Sequence, residues 1–172
     1  MRHSLNHLQE SGVIPSQPNV IIRTFQSGDE VAFHDLNESW ILESFSMDDK
    51  DRLILGDPVG RVLKAGGEIF LIVGPEATLG CCALLPLENQ SWELAKMAVA
   101  KEHRGCGIGR RLLHHVVEYA KETGAHKLSL KTSSLLQPAI HLYKSVGFQI
   151  VAQENSRLSR NARADVFMEL IL

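Results

Sequence analysis

The run Arg104-Gly105-Cys106-Gly107-Ile108-Gly109 constrains this chain more than any other feature. It follows an apolar stretch (Leu94, Met97, Ala98, Val99). It opens into a segment where Ile108, Leu112, Leu113, Val116, Val117 and Ala120 recur at helical spacing, closed by Gly124. A strand that turns through glycines into a helix converges backbone N–H groups on one point. The positive end of the helix dipole sits at the same point, so the segment predicts a bound phosphate group. It also demands a helix packed on a sheet, which places the chain among the α/β architectures.

The flanking sequence supplies the remaining layers. Val20 to Phe25 alternates as a strand, and Asp29 is placed to cap a helix carrying Val31, Phe33, Leu36, Trp40, Ile41 and Phe45. Asp48 to Leu55 reads as a second short helix, stopped by Gly56-Asp57-Pro58. Strands follow at Glu68–Val73, Thr78–Leu87 and Ser91–Ala100, separated by glycine, proline and polar turns. After the helix from Ile108 to Thr123 come a strand (His126–Lys131), a helix with Pro138 in its first turn and Gly147 at its end, and strands at Phe148–Ala152 and Ala164–Leu170. The order βααβββαβαββ predicts a single mixed, mostly antiparallel twisted sheet flanked by helices, of the α/β (α+β) class. One parallel contact is expected where the helix after the glycine loop crosses over. Residues 1–18 read as a mobile polar leader and 19–172 as the domain. His3 and His7 stand at i, i+4 with no third ligand, so no metal site is expected.

Composition excludes several function classes. A net charge of −2 gives no basic field for nucleic acid. No apolar run reaches the roughly 18 residues of a membrane span. The three cysteines include an adjacent pair, Cys81-Cys82, in an apolar run, and no C-x-x-C is present. That pattern points to reduced thiols in the cytoplasm, with Cys81 and Cys82 as buried small hydrophobes.

Which phosphate the loop holds depends on spacing. A dinucleotide fingerprint would need a third glycine at Arg110, and the phosphate loop of nucleoside-triphosphate enzymes would need a Gly-Lys-Ser/Thr end that is absent. A helix-entry turn without ligand is the bland alternative. The wider constellation is more specific. Arg104 to Gly109 fits R-x-x-G-x-G, preceded by Glu93-Leu94-Ala95-Lys96-Met97-Ala98-Val99 and followed by Ala139-Ile140-His141-Leu142-Tyr143-Lys144-Ser145-Val146-Gly147-Phe148. In these motifs the chain resembles the GNAT superfamily of N-acetyltransferases, whose strand order fits from Val20 to Leu172.

The resemblance implies acetyl-CoA as cofactor, with its pyrophosphate on Arg104, Gly105, Cys106, Gly107, Ile108, Gly109 and Arg110. It implies a pantetheine arm along Met97, Ala98 and Val99, where that strand splays from Leu128–Lys131. It assigns Tyr143 to the departing sulfur. It places the acceptor beside the first helical region, where Asn37, Trp40 and Phe45 are the candidates. Many relatives carry an asparagine seven residues before the tyrosine; here that position is Leu136, with Ser133, Ser134 and Gln137 as alternative stand-ins.

The implied chemistry is attack of an amine on a thioester through a tetrahedral intermediate. A lysine-like amine of pKa about 10.4 lies about 3.4 units above neutrality, roughly 4.6 kcal/mol of deprotonation, so a base or water relay is required. Glu93 is the candidate base, four residues before Met97 and therefore expected on the same strand face. The oxyanion needs an N–H donor, expected from the backbone near Ala98. Tyrosine is a weaker acid than a thiol, so Tyr143 is expected to hydrogen-bond the sulfur more than to surrender its proton. Arg104 and Arg110 are expected to reach phosphate oxygens, with Arg111 either assisting or solvated. His103 is placed to see phosphate, whereas His114, His115 and His141 read as surface residues. Arg163 and Asp165 lie near the last strand without an assigned ligand.

The expected function is transfer of acetyl from acetyl-CoA to a primary amine of a small molecule or amino acid. A non-catalytic CoA-binding module and a peptide or protein N-acetyltransferase are the alternatives. A homodimer is expected if the C-terminal strands leave a pairing edge.

Overall fold

The computed structural model describes residues 19–156, 158 and 163–172. The expected leader over 1–18, with His3 and His7, lies outside the described residues, as does half of the polar stretch from Glu154 to Arg163.

The elements run β1 (Ile21–Thr24), α1 (Glu30–Ser44), α2 (Asp49–Gly56), β2 (Glu68–Val73), β3 (Thr78–Leu87), β4 (Ser91–Val99), α3 (Ile108–Glu122), β5 (Lys127–Thr132), α4 (Gln137–Val146), β6 (Gln149–Val151) and β7 (Val166–Ile171). This is the expected order. A π-helical turn at Val59–Leu63 is additional, since Gly56-Asp57-Pro58 ends α2 without ending the helical path. Asp29 begins α1 as expected, but its side chain does not cap the helix. It accepts from the Arg23 guanidinium at 2.6 and 3.0 Å and from the Gln26 amide at 2.7 Å, pinning β1 to the helix start. Asp48 is a true cap: Asp48 and Asp51 exchange side-chain-to-backbone bonds at the start of α2.

The seven-stranded sheet has the order β1-β2-β3-β4-β5-β7-β6. Every neighbouring pair is antiparallel except β4–β5, which is parallel, as a crossover through α3 requires. Each face carries its own apolar core. α3 and α4 cover one face with Ile108, Leu112, Leu113, Val116, Val117 and Ile140, packed on Phe70, Cys82, Leu84, Leu94 and Leu128. α1 and α2 cover the other with Phe33, Ile41, Ile54 and Leu55, packed on Ile69, Leu71, Cys81, Ala83 and Ala98. The adjacent cysteines therefore point to opposite faces, both fully buried. Burial pushes the Cys81 thiol up to about 12, with the Asn37 and Ala98 hydrogen bonds opposing it, and pushes Cys82 up as well.

Two irregularities in β4 matter for everything downstream. Its parallel pairing with β5 runs Ser91↔Lys127, Trp92↔Leu128, Glu93↔Ser129 and ends there, although β4 continues to Val99. Its register on β3 shifts between Cys81↔Ala98 and Ala83↔Ala95, so two β4 residues, Lys96 and Met97, stand opposite Cys82. Lys96 occupies the left-handed region at φ +52. This is a β-bulge, and the extra residue falls out of the ladder. It inverts which side chains face which core: Trp92 and Leu94 point toward α3, and beyond the bulge Met97 and Val99 do. The period-two expectation that Glu93 and Met97 share a face is therefore overturned.

Opposite the bulged strand, β3 passes close enough that a Cβ on Gly80 would lie 2.9 Å from the Ala98 carbonyl oxygen and 3.2 Å from Ile72 Cγ2. Gly80→Ala is expected to lower the unfolding free energy by about 1–3 kcal/mol. Urea denaturation would show this as a lower midpoint at unchanged slope.

Candidate active site

The end of β4 feeds a 3₁₀ turn (Lys101–His103) and then the glycine loop. Gly105 and Gly107 take φ +77 and +81, conformations that favour glycine, and a Cβ on either would meet nothing within 4 Å. The space above the loop is thus open. Gly107 caps α3 without a side-chain hydrogen bond. The first-turn amides of Ile108, Gly109 and Arg110 have no intrahelical partner by helix geometry, and they point toward that space. Gly109 serves packing instead, since a Cβ there would lie 3.2 Å from Leu142 Cδ2.

The arginines divide their tasks. The Arg104 guanidinium is held by Glu43 at 2.8 and 3.0 Å, and its Nε donates to the Val99 carbonyl at 3.0 Å. It clamps the loop to α1, since a carboxylate on the facing helix takes both terminal nitrogens, and it lines the cleft at the same time. That pairing also lowers the Glu43 pKa. Arg110 is exposed at the cleft edge and makes no ion pair among the described residues. Arg111 reaches back to the Val20 carbonyl at 3.4 Å. Cys106 is exposed and Ile108 packs in the α3 core, so these two offer only backbone to the cleft. His103 is half-buried beside the loop, His114 and His141 are exposed, and His115 packs edge-on against Phe70 at 5.2 Å.

A cleft of about 630 Å³ runs from this loop along the parted β4 edge to α1 and α2. Met97, Ala98 and Val99 line it, as do Leu142 and Tyr143 of α4. Tyr143 is half-buried, tilted against Phe148 with ring centroids 5.9 Å apart. Burial pushes its phenol well above the ordinary tyrosine range, so it keeps its proton across physiological pH. Leu136 and Ser133 line the same wall. Ser134 is committed to Asp165 at 2.6 Å and Gln137 to the Ser134 carbonyl at 2.7 Å, and of the three only Ser133 lines the cleft.

The far half of the cleft is polar at its floor. Asp51, 1 % exposed, receives both terminal nitrogens of Arg163 at 2.6 and 2.7 Å and the Lys96 ammonium from the bulge. Burial alone would raise its pKa, but the hydrogen bonds from Arg163 and Lys96 reverse that and hold it far below the carboxylate range. Arg163 lies over both Trp40 and Phe45, about 6.0 and 5.9 Å from the ring centroids, and the two rings meet edge-on at 6.3 Å. Trp40 and Phe45 line the cleft as expected. Asn37 does not: it is fully buried beneath α1, donating to the Phe33 carbonyl at 3.0 Å and the Cys81 sulfur at 3.3 Å while accepting from Trp40 Nε1 at 3.3 Å. A buried amide must satisfy its donors, and the helix and β3 do so here. Glu93 stands where β4 leaves β5, its Oε1 3.8 Å from Lys131 Nζ, with both side chains nearly buried.

Asp51, Lys96 and Lys131 were not legible as site residues. The signal that would have exposed the bulge is the interrupted alternation of β4, where Trp92 and Leu94 are followed not by residue 96 but by Met97 and Val99.

The family model described as Acetyltransferase (GNAT) family matches residues 30–148. Streptothricin acetyltransferase of Streptomyces lavendulae is 37% identical over 86 residues, covering 49% of this chain and 46% of that protein. The chain spans about half the length of the curated relatives it matches first. An acetyltransferase of the GNAT family from Staphylococcus aureus superposes with a TM-score of 0.80 at 21% identity, covering 87% of this chain and 97% of that one. A Bacillus subtilis acetyltransferase in complex with CoA superposes at 0.67 and 21% identity, covering 89% of this chain and 99% of that one. The fold is therefore the mixed-sheet acyl-CoA N-acyltransferase fold. Among the described residues, no helix is long and apolar enough to cross a membrane.

Asp51→Ala strands Lys96 and Arg163 without their counter-charge and is expected to cost about 3–5 kcal/mol in urea unfolding. A carboxylate whose folded pKa is depressed contributes stability that is fully present above its unfolded value of about 3.9 and lost as pH falls toward the folded one. Wild-type stability should therefore drop on acidification through this range, and Asp51→Ala should show a shallower drop.

Proposed function

The chain belongs to the GNAT acetyltransferase family, and on that premise we propose that the cleft binds acetyl-CoA and transfers its acetyl group to a primary amine of a small molecule or amino acid. The observation that carries this reading is the parted β4 edge ending in the glycine loop. Beyond Glu93 one side of β4 has no strand partner among the described residues, so its peptide groups can pair with an extended chain that carries amides. Pantetheine carries two amides, and a pyrophosphate at its far end suits a loop of open glycines at an uncapped helix start. The residues present thus fit coenzyme A better than a flat mononucleotide.

When bound, acetyl-CoA supplies an activated acetyl thioester. The chain's own groups do the rest. Backbone amides of Gly105, Cys106, Gly107 and the first turn of α3 hold phosphate oxygens, with the Arg110 side chain beside them. The Met97–Val99 edge aligns the arm. The bulge at Lys96–Met97 releases backbone from the ladder, offering an N–H donor near Ala98 for the developing oxyanion. Tyr143, protonated and lining the cleft, donates a hydrogen bond to the departing sulfur. Glu93 takes the amine proton, directly or through water, from its place at the point of the splay.

Calorimetric titration should show CoA binding far more tightly than NAD or ATP, and amine-dependent release of CoA thiol should follow on mixing acetyl-CoA with an amine panel. CoA binding without turnover of any amine would refute the enzymatic reading. Tyr143→Phe removes one hydrogen bond to a charged group, worth about 1.5–3 kcal/mol, and is expected to lower kcat about 10- to 100-fold with little change in KM for acetyl-CoA. Glu93→Gln is expected to lower kcat by about 100-fold or more with little change in CoA affinity by calorimetry.

A further inference from the structure

Asn37 is the polar member of the buried stripe of α1, between Phe33 and Ile41 one turn to either side. An apolar residue would suit that stripe, because a buried amide must be desolvated and then matched bond for bond. The Trp40 indole Nε1 donates to Asn37 Oδ1 at 3.3 Å. Asn37 Nδ2 donates to Cys81 Sγ at 3.3 Å and to the Phe33 carbonyl at 3.0 Å. Cys81 Sγ in turn donates to the Lys96 carbonyl at 3.8 Å. The directions agree at every step. An indole N–H only donates, which fixes the amide oxygen of Asn37 toward Trp40 and its nitrogen toward the sulfur. The sulfur accepts that bond and directs its own proton at Lys96; burial raises the thiol to about 12, so the proton stays in place.

These bonds end on the bulge. Lys96 is its left-handed residue, and a residue other than glycine stays in that region only where its surroundings hold it. Lys96 is held at both ends, its carbonyl by Cys81 and its ammonium by Asp51. Asp51 is bound by Arg163, and Arg163 lies over the Trp40 ring, 6.0 Å from its centroid. The contacts close into a ring that leaves Trp40 through Asn37 and Cys81 and returns through Asp51 and Arg163, with Lys96 opposite. A trans peptide points its N–H away from its C=O. With the Lys96 carbonyl turned to β3, the Met97 N–H of the same peptide points away from β3, toward the edge that β5 has left. The Ala98 amide bonds the Cys81 sulfur, so of these two neighbouring amides it is that of Met97 that faces the cleft.

Resting on the acetyltransferase reading above, we propose that Asn37 and Cys81 are positioning residues for the transfer step: by holding the Lys96 carbonyl they aim the Met97 N–H at the oxygen of the tetrahedral intermediate. Neither side chain lines the cleft, and both are fully buried. They act through the bulge. An oxyanion donor works only within about 2.7–3.1 Å of the developing charge, so a small turn of one peptide is enough to weaken it. The same bonds explain why α1 carries an amide where its packing calls for a hydrocarbon. They also tie the donor to Trp40, so an acceptor seated against the indole would hold the ring of contacts in place.

The test compares Cys81→Ala, Cys81→Ser and Asn37→Leu in the full-length protein by CoA thiol release, CoA calorimetry and urea unfolding. Cys81→Ala should lower kcat about 10- to 100-fold, short of the roughly 100- to 1,000-fold that follows outright loss of an oxyanion donor, with KM for acetyl-CoA and CoA affinity within about twofold. Cys81→Ser keeps an acceptor for Asn37 and a donor for Lys96, and should hold kcat within about threefold of wild type. Asn37→Leu completes the apolar stripe, so its urea midpoint should not fall, yet kcat should drop about 5- to 10-fold, the range of one hydrogen bond. A second readout needs no turnover. The chain has two tryptophans, so labelling with a fluorinated tryptophan gives one fluorine resonance for each. Cys81→Ala should shift the resonance of Trp40, assigned with Trp40→Phe, and leave that of Trp92. If kcat follows stability across the three variants, or stays at the wild-type value in both Cys81→Ala and Asn37→Leu, the proposal is overturned and the acetyltransferase reading stands. Absence of turnover by the wild type with every amine of the panel, despite CoA binding, overturns both. If one variant fails to fold, the other decides, and an unmoved Trp40 resonance in folded Cys81→Ala counts against the proposal.

Discussion

The structure turns on one feature: β4 parts from β5 beyond Glu93. A parallel pair is joined through α3, which must rise from the end of β4, cross one face and return to the start of β5. The bulge at Lys96 twists β4 just past the last shared pair, and bulges bend the strand that carries them. The outcome is a strand with one satisfied edge, on β3, and one exposed edge, toward the cleft. Unpaired backbone within a sheet is normally costly or prone to non-specific pairing, so a chain that leaves such an edge needs an occupant for it. The amide-bearing cofactor arm proposed above would meet that need, so the irregularity that weakens the sheet is the one on which the proposed site rests.

Several ion pairs bind this edge to the helices on the opposite layer. At the loop end, Arg104 reaches Glu43 of α1; at the bulge, Lys96 reaches Asp51 of α2; from the segment before β7, Arg163 reaches the same Asp51. The first is half-exposed and contributes little to stability. The others are desolvated, and their energetic weight lies in the harm of breaking them rather than in any net gain over an apolar replacement. Their value is positional. They fix the left-handed Lys96, hold α2 against the cleft floor, and seat the guanidinium of Arg163 on Trp40 and Phe45. A hydrophobic substitute would pack as well but would not dictate which way the bulge turns.

Much of the fold was legible because its signals are local. Gly124 and Gly147 end helices at φ +77 and +114, Asp48 opens α2, and the α3 stripe from Ile108 to Ala120 is continuous. The cofactor half of the site was legible for the same reason, since the loop glycines act through backbone conformation that adjacent residues define. The far, charged half of the cleft was not. Asp51, Lys96, Lys131 and Arg163 are brought together from four distant segments, and none of them has a neighbour that reveals its role. Glu93 was placed on the right strand but on the wrong face, because period-two reasoning fails at a bulge. Asn37 looked like a wall residue by its helix, while its burial was set by a cysteine on β3.

The assignment of Arg104 to Glu43 changes how the phosphate end of the cleft works. With that guanidinium held by a carboxylate, what faces the open end of the cleft among the described residues is the amides of the loop and first turn and the Arg110 side chain, the seat proposed above for the phosphates. Backbone dipoles are fixed in place by the fold and lose no side-chain entropy on binding, whereas an arginine must be ordered each time. The loop therefore supplies a preorganised seat. Arg104 contributes by keeping that seat attached to α1, the helix whose Trp40 lines the far half of the cleft. The two halves of the cleft are joined through one helix: a displacement of α1 at Glu43 would be felt at Trp40, and through the stacked Arg163 at Asp51 and the bulge. The glycine loop, the bulged strand and the Trp40 side of the cleft are thus joined through one chain of contacts.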